Sequence, residues 1–202
     1  MTKRNIFNIA LCCGLISAIM LSMVGFSNSC DEMYNNIVRI RILANSDSSD
    51  DQQLKINIRD AVLNESKHIF SEIDTYDEAI AVTEDNLDAL LECAQNKVME
   101  LGYDYPVGVS LRDEYFDTRV YDEFTLPAGT YKTVVFTIGE GKGENWWCVI
   151  FPQVCVGSCS SRLTDAISDD SSKYAYNSEN YQVKFKTVEI YQKVKNYFNF
   201  LK

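Results

Sequence analysis

The spacing of apolar residues changes character along the chain, and each change marks an element. Residues 6–26 form an apolar run without a charge, preceded by Lys3 and Arg4. Residues 36–44 then alternate, with Val38, Ile40 and Ile42 on one side and Arg39 and Arg41 on the other, the period of a half-buried strand. After a polar break at 45–48, Leu54, Ile58, Ala61, Val62 and Ile69 recur at helical spacing, and Ser48 with Asp51 reads as the helix start. A second helix is expected from Thr75, whose side chain can cap it, to Gly102, which suits a C-terminal stop. Its apolar stripe is Ile80, Leu87, Leu90, Leu91, Ala94, Val98 and Leu101.

From residue 105 the period returns to two. Val107, Val109 and Leu111 share one strand face, and residues 115–121 continue that strand or form a separate extended piece. Leu126-Pro127-Ala128-Gly129 makes a turn, and Val134, Phe136 and Ile138 alternate along the next strand. A glycine-rich turn at 139–143 leads into an apolar strand at 146–151. Residues 157–180, rich in Ser and Asp, read as a surface excursion, and 183–200 as a terminal helix, although Val183, Phe185 and Thr187 also fit the start of a strand. One strand, two helices and then a run of strands predict an α+β fold. The expected arrangement is an antiparallel or mixed sheet with two long helices packed on one face and a C-terminal helix. The chain has no internal repeat.

The opening run bears on location. A basic end followed by an uncharged apolar segment is the pattern of an export signal, and Ser27 and Ser29 supply small residues ahead of a cut before Cys30. The run is also near bilayer-spanning length, so residues 1–29 read as a signal peptide or an uncleaved membrane anchor. A lipid-modified Cys30 fits less well, because Ser27 stands where that cut wants an aliphatic residue. Residues 31–202 are then expected as a single domain outside the cytoplasm, with membrane contact only through the N-terminal segment. The full chain has 202 residues, 46% of them hydrophobic, enough for one packed core. Its 19 basic and 29 acidic residues give a net charge of −10; removing 1–29 leaves 17 − 29 = −12. Such a surface is opposite in sign to a nucleic-acid-binding patch.

Export also changes how the cysteines read. Cys12 and Cys13 lie in the apolar run and behave as small hydrophobes. Of Cys30, Cys93, Cys148, Cys155 and Cys159, the pair Cys148 and Cys155 is the first candidate disulfide, because the Phe151-Pro152 turn can fold the chain back; Cys159 competes for either partner, and fully reduced thiols are the alternative. Gly139, Gly141 and Gly143 lack the spacing and following helix of a phosphate loop, so a tight hairpin is expected. The enzymatic reading is a cysteine-dependent hydrolase with Cys148 as nucleophile and His68, the sole histidine, as base. Against it, Cys148 sits in an apolar strand beside Trp146 and Trp147, as a buried or disulfide-bonded cysteine would. One histidine also disfavours a His-rich zinc site. The acidic pairs, Asp50-Asp51, Asp113-Glu114, Asp122-Glu123 and Asp169-Asp170, read as solvated surface. Neighbouring carboxylates on a strand point to opposite faces and cannot flank one bond. No catalytic residue, metal or cofactor is therefore assigned, whereas Trp146-Trp147 is a candidate contact hot spot.

Two ordered blocks carry a resemblance. The first is Val38-Arg39-Ile40-Arg41-Ile42-Leu43-Ala44-Asn45-Ser46-Asp47-Ser48, followed by Asp51-Gln52, Leu54-Lys55 and Arg59-Asp60-Ala61-Val62-Leu63. The second is Leu126-Pro127-Ala128-Gly129 with Tyr131, then Ile138-Gly139-Glu140-Gly141, Gly143, Asn145-Trp146-Trp147-Cys148-Val149, Phe151-Pro152 and Cys155. Together they resemble the stage II sporulation protein R family over about residues 36–155, with a variable tail at 156–202. Gln153 and Val154 depart from the family pattern, which has a proline and a leucine there, as does Asp117, where it has a proline. The resemblance implies an exported signalling protein, not an enzyme. It would act between forespore and mother cell on a membrane-embedded aspartic protease that processes the sigma-E precursor. The partner-binding candidates are Asn45, Ser46, Asp47, Gly139, Glu140, Gly141, Gly143, Asn145, Trp146 and Trp147.

Overall fold

The alternating segment forms β1 (Val38–Leu43), and it is an inner strand of a four-stranded sheet. A computed structural model describes residues 3–121, 124–153, 163, 166–176 and 178–200. Its contacts divide the chain into two compact units, one of residues 34–116 and 129–168, the other of residues 1–33, 117–128 and 169–202.

The first, the sheet unit, has the α+β architecture expected. After β1 come α2 (Ser49–Ile69), α3 (Tyr76–Asp85), α4 (Leu87–Glu100), β2 (Val107–Phe116), β5 (Gly129–Ile138) and β6 (Asn145–Phe151). The strand order is β2-β5-β1-β6, with β1 parallel to β5 and antiparallel to β6, so the sheet is mixed. Ser48 starts α2, its Oγ accepting the Asp51 N–H, and Thr75 caps α3 in the same way through Glu78. Leu54, Ile58 and Val62 of α2 and Leu90, Ala94 and Val98 of α4 are buried with Ile40, Ile42, Val134, Phe136 and Ile138 of the sheet. Each such side chain contributes about 1.5–3 kcal/mol on leaving water, which makes this layer the unit's main stabilising feature.

Three local expectations change. The second helix is broken at Asn86, whose backbone (φ −109°, ψ 11°) leaves helical geometry while its Nδ2 donates to the Val82 carbonyl, so one residue ends α3 and precedes α4. Leu101, expected on the buried stripe, is 39% exposed because the helix has already ended at Glu100. Arg39, read as part of a polar strand face, is fully buried. Its guanidinium lies 3.7 Å from the Phe116 ring centroid and 5.0 Å from that of Tyr131, so aromatic faces replace water around the charge.

The second, the terminal unit, contains α1 (Lys3–Tyr34, all but its last residue), the short pair β3 (Arg119–Val120) and β4 (Thr125–Leu126), α5 (Asp169–Tyr176), a 3-10 turn (Ser178–Tyr181) and α6 (Gln182–Phe200). The region read as a surface excursion thus contains a helix and a turn, and the terminal helix is helical from its start. Phe26 is fully buried, its ring 4.9 Å from Tyr174 and 5.1 Å from Phe185. Ser29, Cys30 and Met33 are buried as well, and Glu32 accepts a hydrogen bond from Ser171. A cut before Cys30 would therefore take Phe26 out of this aromatic cluster. Among the described residues no helix is long and apolar enough to cross a membrane.

Candidate functional site

The two sequence blocks meet at one end of the sheet. β1 runs into the 45–48 loop, and β5 and β6, which flank β1, are joined by the 139–144 connection that crosses its end. The loops are stitched together by backbone and side chain. Gly143 N donates to the Ala44 carbonyl at 2.9 Å, and Lys142 N to the Asn45 carbonyl at 3.2 Å. The Asn45 side chain bridges, its Oδ1 accepting the Glu140 N–H at 3.0 Å while its Nδ2 donates to Asp51 Oδ2 at 2.9 Å. Asp47 Oδ1 accepts the Glu144 N–H at 2.6 Å. Ser46 Oγ donates to Asp51, and Gln52 Nε2 donates to the Ser46 carbonyl.

Two glycines are required by this closeness. A Cβ on Gly143 would collide with the Ser46 carbonyl, a backbone atom that cannot swing aside. Gly139 has φ +55°, and a Cβ there would strike the Asn45 amide. Gly141 also has positive φ, so the chain turns sharply here, but the segment is not the tight hairpin expected from the sequence: β1 lies between β5 and β6, and residues 139–144 carry the chain across its end.

Asp51 and Lys55, buried under the loops, complete the framework. Burial pushes the Asp51 carboxyl up, but hydrogen bonds from Ser46, Asn45, Tyr105 and Ser48 together outweigh it and hold the group below the ordinary carboxylate value. Burial lowers the Lys55 ammonium, against the opposing pull of Glu144 and Asp47, and its Nζ donates to the Glu144 carbonyl and to Gln52. Neither Asp51 nor Lys55 was among the candidate residues. Their signal is positional: Asp51, Lys55, Ile58 and Val62 recur at helical spacing, so two charged side chains occupy the buried face of α2.

Glu140 and Lys142 remain at the outer rim, both exposed, with Lys142 donating to Glu140 and holding its carboxyl low. The tryptophans diverge. Trp146 pairs with Ile42 and therefore points to the helix side, where the Arg59 guanidinium lies 5.4 Å from its ring. Trp147 pairs with Arg41 on the opposite side, and both are half-buried. On that side Arg41 donates to Asn145 Oδ1 at 3.1 Å and to Glu114, which also receives Arg112 at 2.7 Å. The result is a polar strip across three strands with Trp147 beside it.

For the enzymatic reading, Cys148 is buried and disulfide-bonded, and His68 is exposed at the end of α2. A half-cystine offers no thiolate to a base. Cys155, the expected partner, lies outside the described residues, as does Cys159. Among the described residues no group of three or more His, Cys, Asp or Glu side chains is placed to hold a metal ion.

The family profile for stage II sporulation protein R (spore_II_R) matches residues 34–161. A curated relative, stage II sporulation protein R of Bacillus subtilis (strain 168), is 37% identical over 138 residues, covering 68% of this chain and 61% of the relative. The chain thus spans a little under two thirds of that relative's length. No solved structure matches it. On the profile match and the identity together, the chain belongs to the stage II sporulation protein R family.

Proposed function

We propose that this sporulation protein is an exported signal that activates a membrane-embedded aspartic protease, which then cleaves the sigma-E precursor and so links forespore to mother-cell gene expression. The observation that carries this reading is the family match across the whole sheet-and-loop framework, residues 34–161. The Cys148 disulfide supports a location outside the cytoplasm, where such bonds persist. A ligand activates a receptor only by binding its active state better than its inactive one, which calls for a rigid surface. The interlocked loops supply that rigidity, and Trp147 with the Arg41–Asn145–Glu114 strip supplies side chains at the surface for contact. Asn45, Ser46, Asp47, Gly139, Gly141 and Gly143 act mainly by holding the loops, while Glu140 and Trp147 face outward.

The test is co-expression, in a non-sporulating host, of this chain with the protease and the sigma precursor. Cleavage that requires the chain and its N-terminal segment, and persists in a folded Cys148→Ser variant, is the expected result. Loss of cleavage in that folded variant would mean that the activating surface needs the Cys148 disulfide. No cleavage despite verified export and folding would overturn the activator reading.

A further inference from the structure

We propose that α6 lies on the surface of an anionic lipid bilayer, through an outward apolar stripe and the lysines along one edge of it. The helix has two apolar faces. Phe185 and Val188 are buried and serve the core of the terminal unit. Val183, Ile190, Val194 and Tyr197 are 81%, 56%, 49% and 63% exposed, with Tyr191 beside them at 62%. With Thr187 these positions advance by four and three residues, so they form one line along the helix. Single exposed apolar residues are ordinary; a continuous line of them marks a contact surface.

Charge selects the occupant. Residues 182–200 hold four lysines and one glutamate, a net +3 in a chain of net −10. Helical spacing puts Lys186 and Lys193 along one edge of the stripe, while Lys184 turns to the aromatic cluster, its Nζ 5.3 Å from the Tyr174 ring. Lys186 and Lys193 pair with Glu189, and Lys193 also with Asp117; with the lysines more than half exposed, such pairs are weak and exchange readily. With this edge basic, a second copy of the helix packed antiparallel would set lysine against lysine. An anionic headgroup layer meets the Lys186–Lys193 edge, the lysine stems lying along the apolar stripe and the tyrosines at headgroup depth. The same unit exposes Ile6, Phe7, Leu11, Leu15, Leu21 and Val24 on α1, a further set of apolar side chains that a lipid phase would cover. This inference does not depend on protease activation.

The experiment uses the full chain carrying Ile190→Trp, mixed with vesicles of phosphatidylglycerol and phosphatidylcholine with brominated acyl chains. Emission is compared with the unsubstituted chain, whose Trp146 and Trp147 belong to the sheet unit. The expected result is quenching at least about twofold greater for the variant. That excess should vanish in pure phosphatidylcholine, and vesicle affinity should fall about 25-fold when Lys186→Gln and Lys193→Gln are added, since each lysine at an anionic surface favours binding about fivefold. Equal quenching of variant and unsubstituted chain overturns the proposal. An excess that is the same in neutral vesicles overturns the anionic requirement, and a dimer with no excess quenching assigns the stripe to a second copy. Repeating the comparison with Val194→Trp guards against a fault of one substitution.

Discussion

The two units treat their side chains in opposite ways. In the sheet unit the polar residues of the loop pair bind one another: Asn45, Ser46, Asp47 and Asp51 direct their hydrogen bonds inward or into the neighbouring 139–144 connection. In the terminal unit large apolar side chains point outward on both α1 and α6. The family match covers nearly all the described residues of the sheet unit and, in the terminal unit, only 117–128. A motif of polar and glycine residues can therefore mark a framework as readily as a binding surface.

The comparison can be broken or sharpened by substitution. Phe26→Ala should have the largest effect, costing the terminal unit about 4 kcal/mol by emptying a buried aromatic site. Hydrogen exchange should then accelerate in residues 169–197 and not in β1 or β5; equal acceleration in both would mean the units do not divide as described. Gly143→Ala should cost the sheet unit about 3 kcal/mol through its collision with the Ser46 carbonyl, read as a shift in the denaturation midpoint. Asp51→Asn should cost about 2 kcal/mol, because an amide cannot accept from all the donors aimed at the carboxylate. Since the folded Asp51 carboxyl lies below its unfolded value of about 3.9, its contribution is present above that pH and is lost as pH falls through the folded value. Urea titrations in that acid range should therefore show a shallower loss for Asp51→Asn than for the unsubstituted chain. Asp47→Ala, which removes one acceptor from the Glu144 N–H, should cost about 1 kcal/mol by the same measurement.

What could be read from sequence was local. β1, α2 and the caps at Ser48 and Thr75 follow from alternation, helical spacing and side chains that reach only three residues. The parallel pairing of β1 with β5 was not legible, because register is decided between residues some ninety positions apart. Asn86 breaks a helix without interrupting its apolar stripe, so periodicity passes over it. Arg39 alternates as a surface residue does, and only the arrival of Phe116 and Tyr131 makes it a core residue. At the site, both loops were visible as motifs. That they would use their hydrogen bonds on each other, over Asp51 and Lys55, depends on a meeting that no local pattern records.

The proposed contact role of the half-buried face around Trp147 is tested most directly by Trp147→Ala in the co-expression system, with precursor cleavage and the unfolding midpoint measured on the same variant. Cleavage should be lost while the chain stays folded, and Arg41→Ala, at the facing position on β1, should report the same strip independently should the tryptophan change prove destabilising. Full cleavage by folded Trp147→Ala and Arg41→Ala chains would contradict recognition through this face.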